Sequence, residues 1–243
     1  MNRLRRRRAA QEASSREHAV VHRAAALLLE YPTTDLLGLL PQIRAASEEL
    51  GEPFRPLLTR LADHLASRPL GELEAEYVTT FDLKRRCSLY LTYYAYGDTR
   101  KRGVALVEFK QAYRSAGFEM EAEELPDHLC AVLELAATAG EEHREAGIRL
   151  LLEHRAGLEL LRLALTDSGS PYADALVAVS ATLPPLEGDD RAAVARLAAE
   201  GPPGEGVGLE PYGPTADLPP HHASVSLPTP TTRPDLTPSG ALP

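Results

Sequence analysis

The chain has 243 residues, 44% of them apolar, with no Trp and two cysteines; that is enough for one substantial core or two small ones, since domains run ~100–200 residues. Leu and Ala dominate the apolar set and β-branched residues are sparse, which favours helix and predicts almost no sheet. The net charge of −9 is uneven: residues 1–8 hold Arg3, Arg5, Arg6, Arg7 and Arg8, residues 201–243 sum to −3, and 9–200 carry −11, an acidic body that repels a phosphate backbone and excludes nucleic-acid binding across the whole surface.

Residues 1–13 read as a flexible basic arm. The stretch after the Arg run is broken by Glu12, Arg16, Glu17, His22 and Arg23, so it lacks the roughly 7–15-residue apolar core of an export signal, and no run reaches the ~20 apolar residues that span a bilayer. A cytoplasmic protein without membrane insertion is expected. Ser14 with Glu17 reads as a capping box, and Ala19, Val20, Ala24, Leu27 and Leu28 repeat at helical spacing until Tyr31-Pro32, which predicts a first helix near 15–30. Thr34 can cap a second segment, Pro41 reads as the start of a new helix, and Gly51-Glu52-Pro53 closes it. Residues 55–67 and 70–80 supply two short helices around Pro69.

The interval 82–98, crowded with aromatics and charges, reads as a loop with one helical turn. Asp98 or Thr99 can cap a helix to Ser115, with Gly117 as its left-handed terminator. Pro126 reads as a first helical position, followed by the stripe Leu129, Val132, Leu133 and Ala136. A long helix at about 142–167, one at about 171–183 and one at about 190–200 capped by Asp189 complete a helical domain over 14–200. Beyond it, 11 of the 20 prolines and 6 of the 17 glycines fall in 201–243. Such a segment cannot bury enough apolar area to offset its ordering entropy and is expected to be a disordered tail.

No catalytic constellation appears. GEGVG (204–208) is too short for a dinucleotide fingerprint and follows no strand, and GxSxG, GxxxxGK[ST] and HExxH are absent. Cys87 and Cys130 form no CxxC pair, His128/Cys130 lacks further ligands, and His221-His222 lies in the tail. The expectation is a protein that is not an enzyme and holds no cofactor or metal.

Tyr90, Tyr93, Tyr94 and Tyr96 fall within seven residues, flanked by Lys84-Arg85-Arg86 and Arg100-Lys101-Arg102. The tyrosines either pack one helix against the body while the basic residues stay solvated, or they line a groove rimmed by Arg85, Arg86, Arg100, Lys101 and Arg102 that receives a peptide. In EELPDHL (123–129), Asp127 and His128 read as second and third positions of a helix, with Asp127 on the solvent side beside Glu134 and His128 at the border of the apolar stripe. Capping and ligand contact both suit them.

EYVTTFD (76–82), RRCSLYLTYY (85–94), YGDTRKRG (96–103) and ELPDHL (124–129), in this order and after LLEYP (28–32), resemble the NarJ/NarW nitrate reductase assembly chaperones within the TorD/DmsD-like redox-enzyme maturation chaperones. The similarity covers roughly 17–200 and is strongest at 76–136. It implies a single all-α bundle that binds the apo catalytic subunit of respiratory nitrate reductase, through that subunit's N-terminal segment, and holds it for insertion of the molybdenum bis-guanine-dinucleotide cofactor and assembly with the membrane anchor. It further implies Glu124, Asp127 and His128 as a partner-binding element and Tyr90 to Arg102 as a branch-specific surface. The competing reading is a helical adaptor or regulator that uses the Arg arm on nucleic acid or another anionic partner; no basic recognition helix follows the arm.

Overall fold

The computed structural model describes residues 2–119 and 125–200, with side chains from Gln11 onward except that of Asp190. Glu124, the GEGVG segment and the 201–243 tail lie outside the described residues. Among the described residues eleven α-helices follow one another: α1 (Asn2–Leu28), α2 (Thr34–Glu48), α3 (Phe54–Ala66), α4 (Leu70–Tyr77), α5 (Leu91–Tyr96), α6 (Arg100–Ser115), α7 (Leu129–Ala137), α8 (Glu141–Glu153), α9 (Arg155–Asp167), α10 (Ala173–Thr182) and α11 (Gly188–Glu200). The fold is all-α; among the described residues the one departure from helical pairing is a single antiparallel bridge between Tyr90 and His128.

α7 is the centre of the bundle. α1 lies along one side of it and α8 along another, while α1 also meets α2, α3 and α10. Leu129, Val132, Leu133, Leu135 and Ala136 are all buried, so this helix is apolar nearly all round, as a helix covered on several faces must be. α9 packs on α10, α11 and α5. Its charged face is buried as a network: Glu159 accepts from Arg162 Nε (2.6 Å) and the Ser180 hydroxyl (2.6 Å) and pairs with Arg155 at 2.9 Å, which joins α9 to α10.

Several boundaries differ from the sequence reading. α1 runs through the expected flexible arm to Asn2, so Ser14 and Glu17 are interior to it; Glu17 instead accepts a hydrogen bond from the Gly51 amide (2.8 Å) and fastens the α2–α3 connection to α1. α2 continues through Pro41 rather than restarting there, and its N-cap is Thr33, whose hydroxyl accepts from Leu36 N at 3.1 Å. Pro41 is exposed, where water can satisfy the carbonyl that the missing N–H leaves unpaired.

The expected long helix at 142–167 is two helices broken at His154. Close approach explains the break. A Cβ on Gly147 would stand 2.4 Å from the backbone nitrogen of Ala136 on α7, and one on Gly157 would stand 2.9 Å from Tyr94 Cβ on α5. On a straight helix two glycines ten residues apart project about 80° apart around the axis. The turn at His154 lets each face its own neighbour.

Two predictions follow from this packing. Gly147→Ala gains ~1 kcal/mol in helix propensity but forces α8 off α7, where overpacking costs ~1–3 kcal/mol; a lower urea midpoint is expected for a variant that intrinsic propensity alone would stabilise. The second concerns His22, which is 1% exposed on α1 and whose Nε2–H donates to Thr182 Oγ1 (2.8 Å), since the Thr182 hydroxyl itself donates to Val179 O. Burial pushes its pKa down to about 4. The unfolded ring titrates near ~6.5, so stability is full above that pH and is lost as pH falls from there toward the folded value. Wild type should lose about 1 kcal/mol more than His22→Gln between pH 7 and 5.5, read as the difference in urea-derived free energies.

Candidate functional site

The segment between α4 and α6 is too broken to hold itself. A wide turn over Val78–Asp82, closed by Leu83 N to Val78 O (3.0 Å), is followed by a short 3-10 turn at Arg85–Cys87 and the six-residue α5. So short a helix is far below the ~12–15 residues that are marginal in isolation. What fixes it is the stretch before α7. Leu91 N donates to Asp127 O (3.0 Å) and Leu129 N donates to Leu89 O (2.8 Å), clamping Tyr90 against His128.

Asp127 is 0% exposed. Its Oδ2 accepts from the Thr92 hydroxyl (2.5 Å) and the Thr92 amide (3.3 Å), and Arg102 Nη2 lies 3.4 Å away. Arg102 Nε donates to the same Thr92 oxygen at 3.1 Å, so the threonine relays between cation and carboxylate. This overturns the expected solvent-side Asp127 and the expected helix start at Pro126. α7 begins only at Leu129, with His128 extended at its N-cap, because Asp127 spends its backbone carbonyl on Leu91 and its carboxylate on Thr92 rather than on the first helical turn.

The tyrosines and basic residues divide. Tyr94 is a core residue, 2% exposed, its hydroxyl within reach of the carbonyls of Arg86 (3.0 Å) and Ser88 (2.9 Å). Tyr93 and Tyr96 are half-buried, Tyr93 standing edge-on to Tyr94. Arg85, Arg86, Arg100 and Lys101 are exposed as a rim requires. Arg102 is not a rim residue: its side chain is 18% exposed, turned toward Asp127, with its guanidinium 5.3 Å from the Tyr90 ring centroid.

Tyr90 and His128 reach a surface together. Their rings meet edge to face at 5.2 Å, and burial lowers the His128 pKa, opposed in part by Asp127, so the imidazole is neutral near pH 7. Both line a cleft of about 530 Å³ with Glu30, Tyr31, Tyr77, Leu125, Cys130, Ala131 and Glu134. Glu30, Tyr31, Tyr77 and Glu134 were not among the site residues expected from the sequence; the signal for the first three was their place in LLEYP (28–32) and EYVTTFD (76–82). Alongside, α1, α2 and the end of α7 frame an apolar trough of about 450 Å³, lined by Val20, Leu27, Leu39, Ile43 and Ala137 among others. This assembly of a neutral imidazole, three phenols and carboxylates suits non-covalent recognition. Among the described residues no three His, Cys, Asp or Glu side chains converge to hold a metal, and no helix is long and apolar enough to cross a membrane.

An all-helical bundle with a surface cleft fed by an irregular aromatic segment defines the class, and comparison with known proteins gives the family. Residues 47–178 match the model of the nitrate reductase delta subunit family, and the chain belongs to that family. It is 31% identical over 168 residues to a probable nitrate reductase molybdenum cofactor assembly chaperone, NarJ, of Bacillus subtilis, covering 69% of this chain and 90% of that one. It is 32% identical over 126 residues to the NarJ chaperone of Escherichia coli, covering 50% of this chain and 53% of the other. With the nitrate reductase-like protein NarX of Mycobacterium tuberculosis it shares 40% identity over 163 residues, 67% of this chain, and spans 24% of that longer protein.

The buried cluster generates a sharp expectation. Asp127→Asn takes from Arg102 its buried charge partner and leaves it only the exposed Asp98 at 3.7 Å; breaking a buried pair costs ~3–5 kcal/mol at the upper end, and with Arg102 partly solvated a loss of ~2–3 kcal/mol in urea unfolding is expected. Neutralising an exposed pair, Arg44→Gln beside Glu48 and Asp63, should cost far less, because water screens it. Equal losses in the two variants would remove Asp127 from its structural position.

Proposed function

We propose that this chain is a cytoplasmic assembly chaperone for a respiratory nitrate reductase, binding the apo catalytic subunit through that subunit's N-terminal segment. The observation that carries the reading is the family match across the bundle, together with relatives named as nitrate reductase molybdenum cofactor assembly chaperones. In this role it does no chemistry and keeps no cofactor of its own. The client is held competent to receive the molybdenum cofactor and is kept from premature assembly with the membrane anchor.

The site suits such work. An amphipathic client helix can lay its apolar face in the trough between α1 and α2, the helix-in-groove mode of recognition, and reach the cleft where Tyr90 and His128 emerge. Burying ~500 Å² of apolar surface contributes on the order of 10 kcal/mol before ordering costs, which brings reversible micromolar binding within range. Arg85, Arg86, Arg100 and Lys101 are exposed, and charge at the rim of an interface acts mainly on the association rate.

Isothermal titration with a peptide from the N-terminus of a nitrate reductase catalytic subunit tests this. Wild type should bind at micromolar Kd or tighter, and Tyr90→Ala with His128→Gln should lose ~1–3 kcal/mol of binding free energy with little change in melting temperature. Absence of binding by the wild-type chain would refute the reading.

A further inference from the structure

The apolar trough and the tyrosine cleft are adjacent, and one ion pair stands between them. Arg23, on the trough side, reaches Glu134, on the cleft side, at 2.5 Å. Both side chains are substantially exposed, 56% and 42%, so the pair is screened and holds little energy of its own. The cleft beyond it is acidic and aromatic: Glu30 and Glu134 stand with Tyr31, Tyr77 and Tyr90, and no Lys or Arg is among its lining residues. His128, its one other titratable base, is biased to the neutral form.

The rings are arranged as a wall. Tyr31 and Tyr77 meet edge to face at 5.3 Å, and the Tyr77 hydroxyl is anchored on Leu29 O at 3.2 Å. Tyr31 is 44% exposed despite its size. Tyr90 already carries a guanidinium on its ring, that of Arg102 at 5.3 Å. At the floor, Cys130 has its thiol pushed up, by burial first and then by the nearness of Glu30 and Glu134; both carboxylates therefore act on the interior of this cleft.

We propose that the cleft is a subsite for a cationic side chain, an arginine or lysine of the client segment, which enters between Tyr31, Tyr77 and Glu30 and takes Glu134 from Arg23. Arg23 is the internal placeholder for that cation. The inference rests on the client reading above and adds the chemistry of the segment: an apolar helical stripe for the trough, with a basic residue at the end that meets α7. Aromatic faces attract a cation and carboxylates fix it directionally, more strongly as the cleft loses water. Releasing Arg23 to solvent costs little because its pair is exposed.

The test uses the full chain and two versions of the catalytic-subunit N-terminal peptide, the natural one and one with every Arg and Lys replaced by citrulline, titrated by fluorescence anisotropy. The natural peptide should bind about tenfold more tightly than the citrulline peptide, a difference of ~1.4 kcal/mol. Glu134→Gln should weaken the natural peptide by a similar factor and leave the citrulline peptide unchanged, whereas Arg23→Gln should tighten the natural peptide severalfold and not the citrulline one. Tyr31→Ala, at a position 44% exposed, leaves every core side chain in place and should weaken only the natural peptide, with a thermal melt as the check on folding. If both peptides bind equally and no variant separates them, the cation subsite is wrong while the client reading stands. If neither peptide binds the wild-type chain, the subsite falls together with the reading beneath it.

Discussion

A carboxylate with no access to water, that of Asp127, is the point on which the irregular segment between α4 and α6 depends. Removing a charge from solvent is costly unless hydrogen bonds and a counter-charge replace the water, and Thr92 and Arg102 provide both. In partnering Oδ2 of Asp127 they tie α5 and the first turn of α6 to the entrance of α7. The backbone exchange between Leu89–Leu91 and Asp127–Leu129 completes the clamp. Without it, a six-residue helix and a 3-10 turn have too few internal hydrogen bonds to persist.

From that clamp the surface chemistry follows. Tyr94 is driven inward and its hydroxyl closes the 3-10 turn, which leaves Tyr90 at the surface against His128. Gly157 lets α9 come within contact of Tyr94, and Gly147 lets α8 come onto α7, so the broken helix behind the site is shaped by the same packing. Exposed pairs such as Arg55–Glu52 and Arg149–Glu153 decorate the outside and contribute little. The buried Glu159 network with Arg155, Arg162 and Ser180 holds α9 to α10 and keeps the rear of the bundle rigid.

Membership of the nitrate reductase delta subunit family and the shape of this surface make one coherent account. Recognition of an unfolded or nascent segment needs apolar area for affinity and a few directional polar groups for register. The α1–α2 trough offers the first. The tyrosine cleft beside it offers the second, on side chains held from behind by a buried network rather than by a loop free to move.

Much of this was legible in the chain itself. Leu- and Ala-rich 3.6-residue periodicity determined an all-helical fold; the positions of α3, α4 and α6 and the left-handed Gly117, at φ 76°, follow from local stop and start chemistry; and spaced motifs at 76–129 pointed to the family. Periodicity reports which face of a helix is apolar, and it does so reliably for Leu129, Val132, Leu133 and Ala136. It cannot report what a polar residue just outside the helix will meet. That Asp127 turns inward, that Arg102 leaves the basic rim to join it, that Tyr94 is core while Tyr90 is surface, and that Glu30 and Tyr31 stand opposite Glu134 were decided by tertiary structure alone, because each depends on groups 10 to 104 residues away whose proximity no local pattern encodes.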